Sequence, residues 1–353
     1  LSPVASIKRP GKIGYHGCGP LGPTDRRIPS MRCLIVHNPR SGFGSDAVYA
    51  FERELVRPGD ECVLRVLDDE NVDEKALADA ETFDVVVISG GDGTISNLLY
   101  MLRDRTVPTC VFPSGTANLL FANIGNSPEP AALARACRWG DTISADLGEA
   151  SWESAEGLTK RGFSIMAGTG FDAELMAAAA PNKKTMGEVA YFMAALSDPT
   201  PKVNHFTISV DGETYERDGI ACLVANNAML QLDVDVVPGC VMDDGLLDVI
   251  VLEVSVTAQL IRPLIASLVD PKGERGNRPR IETFRGRSIE VKTSEPIPMQ
   301  VDGEVVPDMV TSWRAEALPA ACELVVDGLS RYQPRIRRTS PKFPVAAQLA
   351  FPE

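Results

Sequence analysis

The run Val85-Val86-Val87-Ile88-Ser89-Gly90-Gly91-Asp92-Gly93-Thr94 constrains the fold more than any other stretch of the chain. Four β-branched residues in succession read as a strand buried on both faces, which points to a parallel sheet covered by helices. The glycines let backbone N–H groups approach a ligand closely, because no Cβ stands in the way. Thr94 is suited to cap a helix over 95–103, whose apolar positions Ile95, Leu98, Leu99 and Leu102 share one stripe. Strand, glycine turn and helix N-terminus make an anion site, and phosphate is the simplest anion. Asp92 within that turn would repel a polyphosphate unless a metal ion lies between them or the carboxylate handles a proton.

The pattern recurs on either side. A strand over 31–37 runs into Asn38-Pro39-Arg40-Ser41-Gly42-Phe43-Gly44, with Ser45 placed to cap a helix reaching Val56. A strand over 62–67 and a helix over 72–80 precede the central run. A strand over 107–112 then ends in Pro113-Ser114-Gly115-Thr116-Ala117-Asn118, with helical patterns over 119–124 and 130–139 beyond it. Alternating β and α implies a parallel sheet whose ligands lie outside the carboxyl ends of its strands, so the three small-residue turns converge on one crevice. Near Thr142 the pattern changes. Short strands over 143–146, 148–152, 162–167, 205–210, 221–225, 246–252 and 287–291 dominate, with Asp211-Gly212 as a hairpin turn. Helical patterns over 172–180, 186–196 and 257–269 interrupt them. With 353 residues the chain has room for two domains, an α/β one followed by a β-rich one.

Two acidic strings lie in the second half. Around Asp243-Asp244-Gly245 a carboxylate and neighbouring carbonyls could gather on a hard cation, or the string is a plain turn at a strand entry. Val301-Asp302-Gly303-Glu304 has the pattern of a hairpin turn and sets two carboxylates around one glycine. A net charge of −13 argues against nucleic acid as a partner. The ends are nevertheless basic: Lys8, Arg9, Lys12, Arg26, Arg27 and Arg32 at one, Arg331, Arg335, Arg337, Arg338 and Lys342 at the other. These Pro-containing ends read as disordered, solvated tails or as tethers to an anionic membrane surface. No apolar run approaches the roughly 20 residues of a transmembrane helix, and no secretion-signal core precedes residue 30. The eight cysteines form no Cys-x-x-Cys pair, so reduced thiols and a cytoplasmic protein are expected.

Taken in order, these strings resemble the diacylglycerol kinase catalytic-domain family, which includes bacterial diacylglycerol kinases and sphingosine and ceramide kinases. The resemblance rests on Asn38-Pro39-x-Ser41-Gly42, residues 90–94, Gly115-Thr116-x-Asn118, Gly168-Thr169-Gly170-Phe171-Asp172-Ala173, residues 243–245 and Asp302-Gly303-Glu304, and covers about 31–328. It implies an NAD-kinase-like parallel α/β nucleotide-binding domain over 31–142, rejoined by a return segment at about 318–332. A β-sandwich-type, lipid-binding second domain would occupy 143–317, leaving 1–30 and 333–353 as extensions. The implied activity is ATP-dependent transfer of the γ-phosphoryl group to a lipid hydroxyl, on diacylglycerol or on a sphingoid or ceramide-type lipid. The alternatives are an NAD or sugar kinase of related fold, and a non-catalytic lipid- or nucleotide-binding regulator.

By the same resemblance Asn38, Ser41, Gly42, Gly91, Asp92, Gly93, Thr94, Gly115, Thr116 and Asn118 would line ATP. Asp92, Asp302 and Glu304 would form the reaction centre. The proton acceptor is Glu304 by likeness to bacterial members and Asp92 by likeness to sphingosine kinases, so the choice stays open. Val241, Asp244 and Leu246 match a structural magnesium site. ATP and Mg²⁺ are the cofactors implied, and a lipid at a membrane surface the partner; a homodimer and peripheral attachment at the inner membrane surface are left open. Three departures stand out: Ile95-Ser96-Asn97 for the family's Leu-Asn-Glu, Leu119-Leu120 where many members have Asp-Phe, and Val66-Leu67-Asp68 without the common Thr.

Overall fold

The computed structural model describes residues 30–41, 46–68, 73–170, 173, 201–230, 234–235, 237, 239–253 and 281–332. Gly42, Ser45, Phe171, Asp172, the chain's two extensions over 1–29 and 333–353 and, Ala173 apart, the helices expected over 172–180, 186–196 and 257–269 lie outside these residues.

Four parallel strands form the first half: β1 (Arg32–His37), β2 (Glu61–Val66), β3 (Val85–Gly90) and β4 (Pro108–Pro113), in the order β2-β1-β3-β4. Helices α1 (Ala47–Leu55), α2 (Asp73–Ala76), α3 (Asp92–Leu102), α4 (Leu119–Ile124) and α5 (Pro130–Trp139) accompany them. Every residue of β3 is buried, which is why its sequence runs apolar without alternation. Leu34, Ile35, Val86 and Ile88 of the sheet share a core with Phe51 of α1 and Leu98 and Leu99 of α3. The Arg138 guanidinium on α5 is buried, donating to Leu55 O at 2.7 Å and pairing with the buried Asp60 carboxylate. Asp60 also accepts from Met31 N at 2.8 Å and Arg57 N at 2.7 Å, so one ion pair ties α5 to the entries of β1 and β2.

The second half is antiparallel. Its strands are β5 (Asp141–Ser154), β6 (Gly157–Phe163), β7 (Met166–Gly170), β8 (Asn204–Val210), β9 (Glu213–Gly219), β10 (Ala221–Ala225), β11 (Met229–Leu230), β12 (Val234–Asp235), β13 (Leu247–Leu252), β14 (Ile281–Gly286), β15 (Ser288–Val301) and β16 (Glu304–Val326). β15 folds the sheet over on itself. Its first part pairs with β8, and after a register shift between Lys292 and Ile297 its second part pairs with β7. One leaf is then β9-β8-β15-β16-β5-β6 and the other β15-β7-β10-β13-β14, a sandwich enclosing Phe206, Val249, Val251, Val291, Met299 and Trp313.

Two strands join the halves. β16 runs antiparallel to β15 and β5, shifts register between Leu318 and Cys322 where Ala320 has φ 51, and then pairs parallel with β4 through Glu323 and Leu324. β5 accompanies it as one strand of 14 residues, where two shorter strands over 143–146 and 148–152 were expected. The gap read at Leu147 is not there: the Phe163 ring packs where a Cβ on Gly148 would stand, and the strand runs on through both residues. The Asp211-Gly212 turn is as expected, with φ values of 50 and 94 that suit a type I′ hairpin. No helix among the described residues is long and apolar enough to cross a membrane.

Candidate active site

The turns leaving β1, β3 and β4 meet at one edge of the sheet. Beneath them His37 Nδ1 lies 2.9 Å from Ser89 Oγ, and Ser89 Oγ 2.6 Å from Ser114 Oγ, a polar line crossing all three strands. The Asn38 side chain joins two turns: Nδ2 donates to Thr94 Oγ1 at 2.7 Å and Oδ1 accepts from Arg40 N at 3.0 Å. Helix α3 begins at Asp92 with Gly91 as its N-cap, so Thr94 lies within the first turn and is not the cap expected. The missing Cβ of Gly90 explains the shift. The Thr94 side chain occupies that space, 2.9 Å from where a Cβ would be, and turns its hydroxyl to Asn38 instead of back along the helix.

Asn118, at φ 51, closes the third turn by accepting from Gly115 N at 2.8 Å and donating to Gly115 O at 2.9 Å. A Cβ on Gly115 would stand 2.6 Å from Gly91 Cα, and one on Gly91 3.7 Å from Ser41 Oγ. Asn38, Ser41, Gly91, Thr94, Gly115 and Asn118 are therefore brought together, with Gly93 on the first turn of α3 and Thr116 exposed on the third turn.

The three carboxylates occupy different places. Asp92 Oδ1 accepts from Leu120 N at 3.1 Å, at the start of α4. Burial pushes its carboxyl upward, the Leu120 N–H opposes this, and the nearby charge of Asp302 adds to it. Asp302 and Gly303, at φ 46 and 77, form the turn between β15 and β16. Its carboxylate accepts from Ser164 N at 2.8 Å, Ile165 N at 3.0 Å, Met166 N at 2.9 Å and the Ser96 hydroxyl. Burial raises this carboxyl too, against the pull of those donors. Asp302 is thus a clasp holding the 164–166 segment to the hairpin and to α3.

Glu304 is the one that faces open space. It borders a cleft of about 870 Å³ with Asn38, Arg40, Asp68 and Thr94 on one side and Thr159, Lys160 and Arg161 on the other. Leu67, Trp152, Val305, Val306 and Pro307 add apolar lining. Glu304 Oε2 accepts from Arg161, and a Cβ on Gly93 would stand 2.6 Å from Oε1. Asp68, Trp152, Lys160 and Arg161 belong to no motif in the sequence. Strand alternation was the only local signal, and it does not say which face of β6 meets a cleft.

Val241, Asp244 and Leu246 share the turn before β13, apart from this cleft. Asp244 Oδ1 accepts from Leu246 N at 3.0 Å, and Oδ2 lies 3.4 Å from the Arg285 guanidinium. The neighbouring Asp146 accepts from Gly245 N at 2.6 Å and Ala320 N at 2.7 Å. Among the described residues no three His, Cys, Asp or Glu side chains gather as a metal site. The turn is thus held by hydrogen bonds to Asp146 and Asp244, beside the Arg285 guanidinium.

Small-residue turns at the strand ends of a parallel α/β half, facing a β-sandwich across a cleft that carries a half-exposed, arginine-paired carboxylate, define a two-domain kinase. The comparisons agree. The diacylglycerol kinase catalytic domain matches residues 32–150 and the YegS C-terminal NAD kinase beta sandwich-like domain residues 165–326. The chain thus carries the diacylglycerol kinase catalytic domain and the YegS-type sandwich domain side by side, and its relatives are named diacylglycerol and lipid kinases, enzymes that transfer a phosphoryl group to an alcohol.

It is similar to a diacylglycerol kinase of Mycobacterium tuberculosis, 26% identical over 314 residues that make up 85% of this chain and 96% of that protein. It is 29% identical over 245 residues to the uncharacterized protein sll0036 of Synechocystis sp., a match covering 65% of this chain but only 52% of that longer relative. The fold is similar to the crystal structure of a diacylglycerol kinase from Bacillus anthracis str. Sterne, with a TM-score of 0.60, 18% identity, and coverage of 84% of this chain and 97% of that one.

Proposed function

We propose that the protein transfers the γ-phosphoryl group of ATP to the free hydroxyl of a lipid, with diacylglycerol the foremost acceptor. The observation that carries this reading is Glu304: a half-exposed carboxylate in the same cleft as the phosphate turns and beside the apolar residues Trp152, Val305 and Pro307. The triphosphate would lie on the N–H groups of 91–94, with Asn38, Ser41 and Asn118 around it. The lipid hydroxyl oxygen attacks the γ-phosphorus in line, its proton passes to Glu304, and the bond to the β–γ bridging oxygen breaks to release ADP. Mg²⁺ bound with the nucleotide would offset the phosphate charge, and Asp92 is the carboxylate among the turns suited to hold it. Asp302 holds the hairpin from which Glu304 projects.

Exposed apolar side chains support a lipid substrate drawn from a membrane surface. Val305 lines the cleft, Leu158 precedes the lining residue Thr159, and Met309 lies just beyond Pro307; Leu158 and Met309 are 63% and 59% exposed. The test is transfer of label from [γ-³²P]ATP to a panel of diacylglycerol, sphingoid and ceramide lipids in anionic mixed micelles. Glu304→Gln should lower kcat by about 10²–10⁴ without raising KM for ATP, as loss of a general base does. Bound ATP with no labelled lipid would overturn the reading, and label appearing in NAD or a sugar would reassign the acceptor.

A further inference from the structure

Arg161 and Glu304 are bonded to each other inside the cleft that must hold the transferring group. Arg161 projects from β6, one-third exposed, and its ion partner is Glu304. Lys160 beside it is engaged differently, 2.6 Å from Glu149, which also accepts the Tyr100 hydroxyl. The two oxygens of Glu304 thus rest where positive charge is already offered: Oε2 on the guanidinium, Oε1 over Gly93 in the first turn of the 11-residue helix α3. A phosphate group settling on that turn competes for both. It carries more charge than a carboxylate and engages a guanidinium fork through paired hydrogen bonds, whereas a half-exposed ion pair is weakly held. The phosphate wins.

We infer that Arg161 is a further catalytic residue of this site: it bridges Glu304 in the nucleotide-free cleft and passes to the γ-phosphoryl oxygens when ATP binds, freeing Glu304 Oε2. The inference rests on the reading of Glu304 as proton acceptor. In the transfer step the lipid oxygen forms its bond to the γ-phosphorus while its proton goes to Glu304. The bond from phosphorus to the β–γ bridging oxygen breaks, and its electron pair stays on ADP. Arg161 offsets the charge on the equatorial oxygens during that exchange, the part an arginine performs in other phosphoryl transfers. ADP, lacking the γ-phosphoryl group, leaves Arg161 on Glu304. The site therefore tells the two nucleotides apart by one side chain.

The experiment uses the full chain and its Arg161→Gln and Arg161→Lys variants. Calorimetry measures affinity for ADP and for the β,γ-imido analogue of ATP, and kcat and KM are measured with diacylglycerol in mixed micelles. Arg161→Gln should bind ADP within about twofold of the parent, bind the analogue at least tenfold more weakly, and lose roughly 10²–10³ in kcat, as removal of one charge-stabilising donor does. Arg161→Lys should recover part of both losses and keeps the test valid if the Gln variant folds poorly. Unchanged analogue affinity and kcat, or equal weakening of ADP and analogue, would overturn the assignment. Failure of the lipid-kinase reading shows separately: the parent would then label no lipid, while the contrast between analogue and ADP in Arg161→Gln would persist.

Discussion

Ser96, buried in the second turn of α3, donates its hydroxyl to the Asp302 carboxylate at the tip of the β15–β16 hairpin, 206 residues further along the chain. That bond joins the parallel half to the sandwich behind the cleft. It is made at a position where the family pattern carries Asn, so the departure changes the donor and keeps a polar contact.

Asp302 is accordingly more a structural clasp than a free base. Removing its carboxylate leaves the N–H groups of Ser164, Ile165 and Met166 without their acceptor, at about 1–3 kcal/mol for each donor that water does not reach. Asp302→Ala should therefore lose several kcal/mol in denaturant unfolding, and Ser96→Ala about 1–2 kcal/mol. A variant Asp302→Ala as stable as the parent but inactive would show that the carboxylate serves the chemistry instead.

Gly115 faces Gly91 across the edge where the turns meet, at a distance that no side chain tolerates. The added methyl of Gly115→Ala would press on Gly91 Cα at 2.6 Å and Asn118 Oδ1 at 3.0 Å, and the first of these is backbone that must move. Overpacking of this kind costs about 1–3 kcal/mol, and here it also splays two of the three phosphate turns. Nucleotide affinity should fall at least tenfold, with a lower melting temperature. Full affinity by calorimetry would mean the two turns need not approach so closely.

The edge where the three small-residue turns meet was legible in the sequence because each turn is local: strand, small residues and helix lie within a dozen positions, as in Val85 to Leu98. The Asp302-Gly303 hairpin was legible for the same reason. What Asp302 does was not, since its partners Ser96 and residues 164–166 come from 136 to 206 positions away. Arg161 was missed because the single strand expected over 162–167 is two, β6 over Gly157–Phe163 and β7 over Met166–Gly170, and only the pairing of β6 beside β5 sets it against the cleft. Thr94 misled because a Thr before an apolar stripe is a good cap; the space above Gly90, invisible in one dimension, drew it elsewhere.

The Arg138–Asp60 pair lies in the α1–α5 region, away from the cleft lining, and gives a prediction about stability alone. With side chains each 3% exposed, truncating one leaves the other buried without its counter-charge, a loss of about 3–5 kcal/mol. Asp60→Ala should show that loss in its denaturant midpoint, with KM for ATP unaltered in the folded fraction. The double variant Asp60→Leu with Arg138→Met should recover part of it, since an apolar pair removes both buried charges while Met31 N, Arg57 N and Leu55 O still lose their partners. Equal stability of Asp60→Ala and the parent would mean that water reaches the guanidinium.

His37 links the phosphate edge to pH. It is buried beside Ser89, and burial holds its imidazole below the usual value near 6.5, opposed in part by a hydrogen bond with Ser89. A base with a lowered folded-state pKa binds fewer protons folded than unfolded. Its contribution is therefore complete above about pH 6.5 and is lost as pH falls through the lowered value. Buried Asp92, Asp146 and Asp302 act in the opposite sense, their raised folded-state values favouring the fold as acid is added, so the parent's curve alone mixes the two. The difference between parent and His37→Gln isolates the imidazole. The parent's advantage should hold from pH 7.5 to about pH 6.5 and shrink from there toward pH 5 in thermal unfolding. A constant difference across that range would show that His37 accepts its proton in the folded protein as readily as in the unfolded chain.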